Sequence, residues 1–456
     1  MRIAIYDPEP RVCGISTWVN QVRDGFRAMG HECYIVGFTK SGKPKVKWGR
    51  IVRDKGNGMS SLVAPDVTFS YEEGGEVLDQ FDLIVLPEPK CNSHDREADK
   101  GLVDFPRYVE VLMATRTPWT CTLGGRYFFE EREIPKGWSR ERGSPYLGEL
   151  LSTKSFSGLV VNNATPGVMT CNSERLRACH HVHVGLPYAV RNPLGEFSMR
   201  ARPSVGMIGR VTTQKHQHYL LWLITQGLLP GWDVVIAGGS AQSRAPSETY
   251  LMYEMLVRKA EVQWGRPAPD EDPHVKALWH WTATRGGPDD DPMDVIRALP
   301  WEFHGWDASA AFLGLYEDPL EVLSGVDVHV AVTTSDYSGG LFEYSTLEAM
   351  DAGCAPITAR AFTPWYCDQF QIEIFEPPLD GHQGGVQWED GKNGLDPGSD
   401  PMAEARCRLL HACVTRAYDM RTQELVQHNR EMLVKHNHPR LTCEALLQAL
   451  DMDKRR

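Results

Sequence analysis

The chain has 456 residues, with 48 Lys and Arg against 60 Asp and Glu and a formal net charge of −12; that length exceeds one ordinary domain and sets two of similar size as the expectation. A hydrophobic share of 42% and a charged share of 24% are those of a globular protein, not of a disordered or fibrous chain; no stretch is apolar for long enough to span a membrane, and the opening MRIAIYDPEP reads as a strand and turn rather than a signal peptide. The negative charge weighs against a polyanionic partner, though only weakly, because binding depends on where the charge sits; the 11 cysteines contain no Cys-x-x-Cys pair, so reduced cytosolic thiols are expected rather than a disulfide frame.

In chain order, residues 2–6 (RIAIY) form a strand, 15–29 an amphipathic helix ending at Gly30, and 33–38 (CYIVGF) the next strand. That is a β-α-β unit and predicts a parallel sheet. Buried strands follow at 81–89, 118–123 and 158–163. The polar, broken stretch 190–202 reads as a linker. A second series starts with PSVGMIGR at 203, then a helix (YLLWLITQGL), a strand (WDVVIAGG), and strands at 326–334 and 355–359. Residues 403–450 carry helical periodicity. The fold class is therefore α/β: two doubly wound Rossmann-like domains, 1–195 and 203–402, facing one another across a cleft, with 403–456 packing back across both. Open sheets of this kind bind ligands beyond the carboxyl ends of their strands, which puts the site in that cleft.

Four stretches carry chemistry. Cys13-Gly14-Ile15-Ser16 opens the first helix, where Gly14 allows backbone to approach an anion; a plain tight turn reads equally well. Gly209-Arg210 to Lys215 follows the first strand of the second domain, so Arg210 and Lys215 can neutralise a diphosphate or stand in a solvated loop. FEYSTLEAMDAG (342–353) places Glu343 and Glu348 in a small-residue helix that starts at Leu341, directly after Gly339-Gly340, and stops at Gly353. The spacing of the glutamates is not that of helical neighbours. Glu348 can accept from both hydroxyls of a ribose and Glu343 from those of a transferred sugar, while the helix start offers free amides to phosphate; capped or ion-paired structural carboxylates are the plainer alternative. Finally, Lys40, Lys43, Lys45, Lys47, Arg50, Arg53 and Lys55 surround Trp48 in a basic run that suits phosphates or solvent. His180-His181-x-His183 lacks the carboxylate cues of a metal site and reads as structural or acceptor-side, and the acidic clusters 270–272 and 289–291 read as solvated loops.

As a set, these residues resemble GT-B glycosyltransferases that use nucleotide sugars, and among them the DNA α-glucosyltransferases of T-even bacteriophages. The shared elements are Met1-Arg2-Ile3, Cys13-Gly14-Ile15, Arg23-Asp24-Gly25-Phe26, Gly30-His31-Glu32, Ile208 to Lys215, and Glu343-Tyr344 to Glu348, in the same order over most of the chain. The resemblance implies a UDP-sugar donor, no tightly bound cofactor and no metal. It assigns Arg210 and Lys215 to the diphosphate, Glu348 to the ribose and Glu343 to the sugar, with Gly14, Gly209, Gly339 and Gly340 lining the nucleotide-sugar site. The first domain becomes the acceptor side. The implied reaction is retaining transfer to the hydroxymethyl group of a modified pyrimidine, 5-hydroxymethylcytosine, in phage DNA, with the base flipped out of the stack, in an infected bacterial cytoplasm and away from membranes. Oligomeric state is left open. Two departures bear on sugar choice and acceptor activation: Gly340 stands where the family has a Glu eight positions before the ribose carboxylate, and Gly124-Gly125-Arg126 stands where the phage enzymes have His-Asp. A GT-B transferase acting on a small molecule, glycan or protein, and a non-catalytic nucleotide-sugar or DNA-binding module, are the alternatives.

Overall fold

The computed structural model describes residues 1–6, 14–38, 66–69, 73–87, 105–123, 153–162, 181–192, 200–209, 227–238, 301–305, 308–314, 318–332, 343–359, 367–375 and 403–453, with isolated positions between 197 and 223. The basic run at 40–55, the acidic clusters and residues 124–126 lie outside them.

The first sheet contains β1 (Arg2–Tyr6), β2 (Glu32–Phe38), β3 (Val67–Phe69), β4 (Leu83–Leu86), β5 (Trp119–Leu123), β6 (Phe156–Asn162) and β7 (His181–Val184). Its order is β3-β2-β1-β4-β5-β6-β7, and every pairing is parallel. Strands such as LIVL are buried along their whole length, as expected of a parallel sheet covered on both faces. One face is closed by Leu78 of α2 (Gly74–Leu78) and by Val111 and Leu112 of α3 (Phe105–Ala114). The other face receives Trp18, Val22 and Phe26 of α1 (Gly14–Ala28), joined by Cys443, Leu446 and Ala449 from the last helix of the chain.

The second sheet contains β8 (Ser204–Ile208), β9 (Asp233–Ala237), β10 (Trp301–Gly305), β11 (Ala308–Gly314), β12 (Val328–Ala331), β13 (Ala355–Ala359) and β14 (Glu373–Phe375). The order is β10-β11-β9-β8-β12-β13-β14, with β10 the antiparallel edge strand. Its helices are α4 (Pro319–Leu323) and α5 (Tyr344–Ala352), followed by α6 (Ala403–Met420), α7 (Gln423–Asn437) and α8 (Pro439–Asp453). Helix α6 packs on β13 and β14, α7 on α5, and α8 on β6 and α1. The chain's C-terminal helices therefore touch both sheets.

Two buried carboxylates hold this arrangement. Asp327, fully buried before β12, accepts Ser204 N–H and Oγ–H at 2.9 Å each and pairs with Arg421 at 2.7 Å. Arg421 sits between α6 and α7, and its Nε donates to Gly353 O at 2.9 Å; Thr422 then caps α7 by accepting from Leu425 N–H at 3.2 Å. Asp351 of α5, also fully buried, accepts Tyr188 Oη–H and Arg191 N–H at 2.8 Å and Asn192 N–H at 3.0 Å. The connector between the sheets, residues 185–192, is fastened further by Asn437 of α7, whose Nδ2 donates to Leu186 O at 2.9 Å, and by Gln21 of α1, which accepts from Ala189 N–H at 3.1 Å.

Arg421→Ala leaves the Asp327 carboxylate buried without its cation, so a loss of about 3–5 kcal/mol is expected in denaturant unfolding. Adding Asp327→Asn should recover part of that loss, and a single variant as stable as the wild type would contradict the structural role of the pair.

Candidate active site

Sheet two changes direction between β8 and β12: from β8 the chain proceeds to β9 on one side, and from β12 to β13 on the other. A crevice opens at such a switch point beyond the carboxyl ends of the two strands, and the residues following each strand look into it. Those residues are Gly209 and Lys215 after β8, and Glu343 with α5 after β12.

At the end of β8 the backbone is tightly constrained. Gly209 has φ +128°, and its N–H donates to Ala237 O at 3.0 Å. Gly238, at the end of β9, has φ +139°, and a Cβ there would lie 1.7 Å from Gly209 O. Gly238 has no room for a side chain, and at Gly209 the space is open but the positive φ strains any L residue, so the two strand ends meet backbone to backbone.

Helix α5 begins at Tyr344, three residues later than the expected Leu341. Glu343 is still extended (φ −53°, ψ 153°), and its C=O accepts the first intrahelical bonds, from Thr346 N–H at 2.8 Å and Leu347 N–H at 3.2 Å. Gly353 ends the helix in the left-handed region at φ +89°, as its place in the sequence predicts. With Glu343 at the cap and Glu348 inside, the two carboxylates point to opposite sides: five residues turn a helix by about 140° beyond a full revolution.

Glu343 faces β8 and forms an ion pair with Lys215, both side chains being largely buried (17% and 21% exposed). Beneath them lies His329 of β12, fully buried, with neither ring nitrogen hydrogen-bonded. Burial pushes its pKa down to about 4; Glu343 opposes the shift and Lys215 adds to it. His329 is therefore a neutral imidazole at working pH. Thr346 Oγ1 on α5 and Thr358 Oγ1 on β13 are likewise buried without a partner.

Glu348 faces the connector. It is partly buried, and no hydrogen bond engages its carboxylate among the described residues. Burial raises its pKa to about 8; Arg191 pulls it down, and Asp318 and Asp351 push it up. Tyr344 Oη beside it is buried and unpartnered. Arg210, Gly339 and Gly340 lie outside the described residues, and Gly14 is the first residue of α1. His181 and His183 lie on β7, and among the described residues no group of three or more His, Cys, Asp or Glu is placed to hold a metal. The sequence reading did not single out His329, Arg191, Asp318 or Asp351.

The arrangement sets an ion-paired cation on one side of the start of α5 and, on the other, a carboxyl that accepts no hydrogen bond among the described residues. It can hold a ligand that is anionic at one end and polyhydroxylated at the other.

No known family pattern matches the chain, and no curated protein matches it in sequence. Solved structures do match in three dimensions. HepE of Anabaena, in complex with UDP-glucose, superposes with a TM-score of 0.56 at 11% identity, with 99% of each chain covered. An α-glucosyltransferase in complex with UDP and a 13-mer DNA containing an HMU base gives 0.53 at 13% identity, again over 99% of each chain. An α-glucosyltransferase with UDP-glucose and DNA containing an abasic site gives 0.50 at 15%, covering 100% of this chain and 99% of that one. The fold is GT-B. Among the described residues, no helix is long and apolar enough to cross a membrane.

The raised pKa of Glu348 has a stability consequence. A carboxyl whose folded pKa lies above its unfolded value favours the fold fully below about pH 4.5, and that contribution is lost as pH rises through about 8. Glu348→Gln should therefore match the wild type near pH 5 and become progressively more stable than it towards pH 8, by at most about 1.4 kcal/mol per pH unit. Thermal unfolding across that range checks the sign; a constant difference would mean that Glu348 is ionised throughout.

Proposed function

We propose that this protein is a retaining glycosyltransferase that moves a sugar from a UDP-sugar to the hydroxymethyl group of a modified pyrimidine, 5-hydroxymethylcytosine, in DNA. The observation that carries the reading is the gathering of Lys215, Glu343 and an unpartnered Glu348 around the first turns of α5, at the switch point of a chain-long GT-B fold. The likeness to α-glucosyltransferases solved with UDP and DNA supports the DNA acceptor, as does the basic run at 40–55, which belongs to the half assigned to the acceptor.

In this reading Glu348 accepts from the ribose hydroxyls, and Arg210, Lys215 and the start of α5, with Gly339-Gly340 before it, bind the diphosphate. Their main task is electrostatic: negative charge grows on the diphosphate as the bond from anomeric carbon to phosphate oxygen breaks, and fixed cations and amides stabilise it there. The acceptor oxygen bonds the anomeric carbon on the face the diphosphate leaves, and its proton passes to the departing phosphate oxygen. Glu343 orients the sugar. The net charge of −12 favours a second reading, in which the acceptor is a small molecule or glycan.

Incubation with labelled UDP-sugars and DNA containing either 5-hydroxymethylcytosine or plain cytosine should label the hydroxymethylated DNA alone. Labelled DNA in neither case, with donor consumed in the presence of a small acceptor, would transfer the assignment to the second reading. Lys215→Ala should lower turnover by about 10²–10³ with little loss of stability. Because Glu343 already neutralises Lys215, the donor's diphosphate must compete with it: Glu343→Gln should bind UDP more tightly than the wild type while turning over more slowly. Unchanged UDP affinity in calorimetry would show that the ion pair does not oppose binding.

A further inference from the structure

Behind the start of α5 lies a group of polar side chains that hold nothing in place. His329, on β12, is fully buried, and neither ring nitrogen has a hydrogen-bond partner among the described residues. Thr346 on the first turn of α5 and Thr358 on β13 are also fully buried, and their hydroxyls are likewise unpartnered there. Sheet register brings the three to one layer. His329 pairs with Gly206 of β8 and Pro356 of β13, and directly paired residues of parallel strands share a face. Thr358, two residues beyond Pro356, lies on that face as well. The face is the one α5 covers: a Cβ at Gly206 would lie 2.9 Å from Val326 Cγ2, and Val326 belongs to the core that includes Ile208 of β8 and Ala349 of α5. Thr346 stands three residues before Ala349, on the same side of the helix. Glu343 caps this first turn, and its charge and that of Lys215 both reach His329.

Buried polar groups without partners weaken a fold, and apolar groups of the same shape would serve it as well or better. That cost is recovered in an arrangement that gives the groups something to bond. Donor binding creates one. As the diphosphate draws Lys215 to itself, the Glu343 carboxylate, only 17% exposed, loses its cation in a place poor in water. An ionised carboxylate only accepts hydrogen bonds, whereas a neutral imidazole offers one N–H and a threonine one O–H.

We propose that His329 and Thr346 are the reserve partners of Glu343, positioning residues that take its carboxylate when the donor's diphosphate takes Lys215. The proposal rests on the assignment of Lys215 to the diphosphate. A second cation in place of His329 would repel Lys215 and hold Glu343 permanently; a neutral donor does neither. The two carboxylate oxygens have about four acceptor sites between them. Glu343 can therefore bond the inner donors and a sugar hydroxyl together, and the inner donors fix the direction in which it meets the sugar.

The test is a double-mutant cycle read by UDP calorimetry, with denaturant unfolding measured on every variant. His329→Leu removes both orphaned nitrogens, so it should unfold at the same denaturant concentration as the wild type or a higher one. Its UDP affinity should nonetheless fall by about tenfold or more, because the bound state has lost a hydrogen bond to a charged group. In the Glu343→Gln background the same substitution should change UDP affinity by less than about twofold, since no charge then needs a donor. His329→Gln, whose amide can donate, should keep most of the affinity. Thr346→Val should act in the same direction as His329→Leu, and it decides the matter if His329→Leu does not fold. Wild-type affinity in both His329→Leu and Thr346→Val would overturn the proposal. So would a loss of equal size with and without Glu343→Gln, which is the mark of a merely structural residue. Lys215→Ala separates the two levels of the argument. If it binds UDP as tightly as the wild type, the diphosphate assignment itself is wrong; if it binds weakly while His329→Leu and Thr346→Val bind normally, only the reserve role falls.

Discussion

The position of α5 depends on one fully buried carboxylate. Asp351 accepts a phenolic hydroxyl and two consecutive backbone N–H groups from the connector, while its own backbone carbonyl is held by Arg430 of α7. A buried charge is tolerated only when its lone pairs are occupied, and here all three occupants come from the connector. The requirement works in both directions: the connector needs partners for its N–H groups, which have no strand or helix to pair with, and the acid needs donors. Satisfying each with the other sets the position of α5 against the segment between the sheets. Glu343 and Glu348 then inherit their directions from α5.

The charge pattern near α5 follows from the same economy. A chain with a net charge of −12 has to isolate any cation intended for a phosphate from its own acids, or let a phosphate displace one of them. Lys215 is paired with Glu343, so under the proposed function the second course applies. The cost of separating that pair is moderated by the neutral His329 beneath it, because a second cation in the same buried space would repel Lys215, whereas an uncharged imidazole does not. On the other side of the helix Arg191 is shared between Asp318 and the neighbourhood of Glu348. Lys215 and Arg191 thus each have an acid as their present partner: Glu343 is in direct contact with its cation, while Glu348 accepts no hydrogen bond among the described residues.

How much of this was legible in the sequence depended on length and locality. Long apolar strands such as RIAIY and LIVL announce themselves, because a strand buried on both faces is mostly apolar. Short elements do not: VTF at 67–69 and EIF at 373–375 are three residues each, and GGEVL at 74–78 opens with two poor helix formers. The helix PLEVL could have been read, since Asp318-Pro319 is a cap followed by proline at the first helical position. The start of α5 was misplaced by three residues because Leu341 and Phe342 extend its apolar pattern, while the backbone at Glu343 remains extended. Lys215, Glu343 and Glu348 stood out through their places after strands and inside a helix of small residues. Arg191, Asp318 and Asp351 did not, because their roles arise from contacts between segments far apart in the chain, and Arg191 lies in a stretch whose composition reads as a linker.

The two halves of the molecule are not independent in energetic terms. Tyr344, the first residue of α5, packs against the core beneath α1 and α8 in the first sheet, and also against the cluster of Tyr188, Leu347, Met350 and Leu433. Helix α8, last in the chain, closes the face of the first sheet opposite α2 and α3. The helix that presents both candidate carboxylates is therefore wedged between two cores. A change in its tilt disturbs packing in each, and packed cores resist small displacements because every contact is near its optimum. Under the proposed function, the rigidity needed to hold a sugar beside an acceptor, where an error of about 1 Å is costly, comes from the burial of Tyr344 in two clusters at once, and the connector at residues 185–192, bonded to α1, α5 and α7 together, is the strap that keeps those clusters in contact.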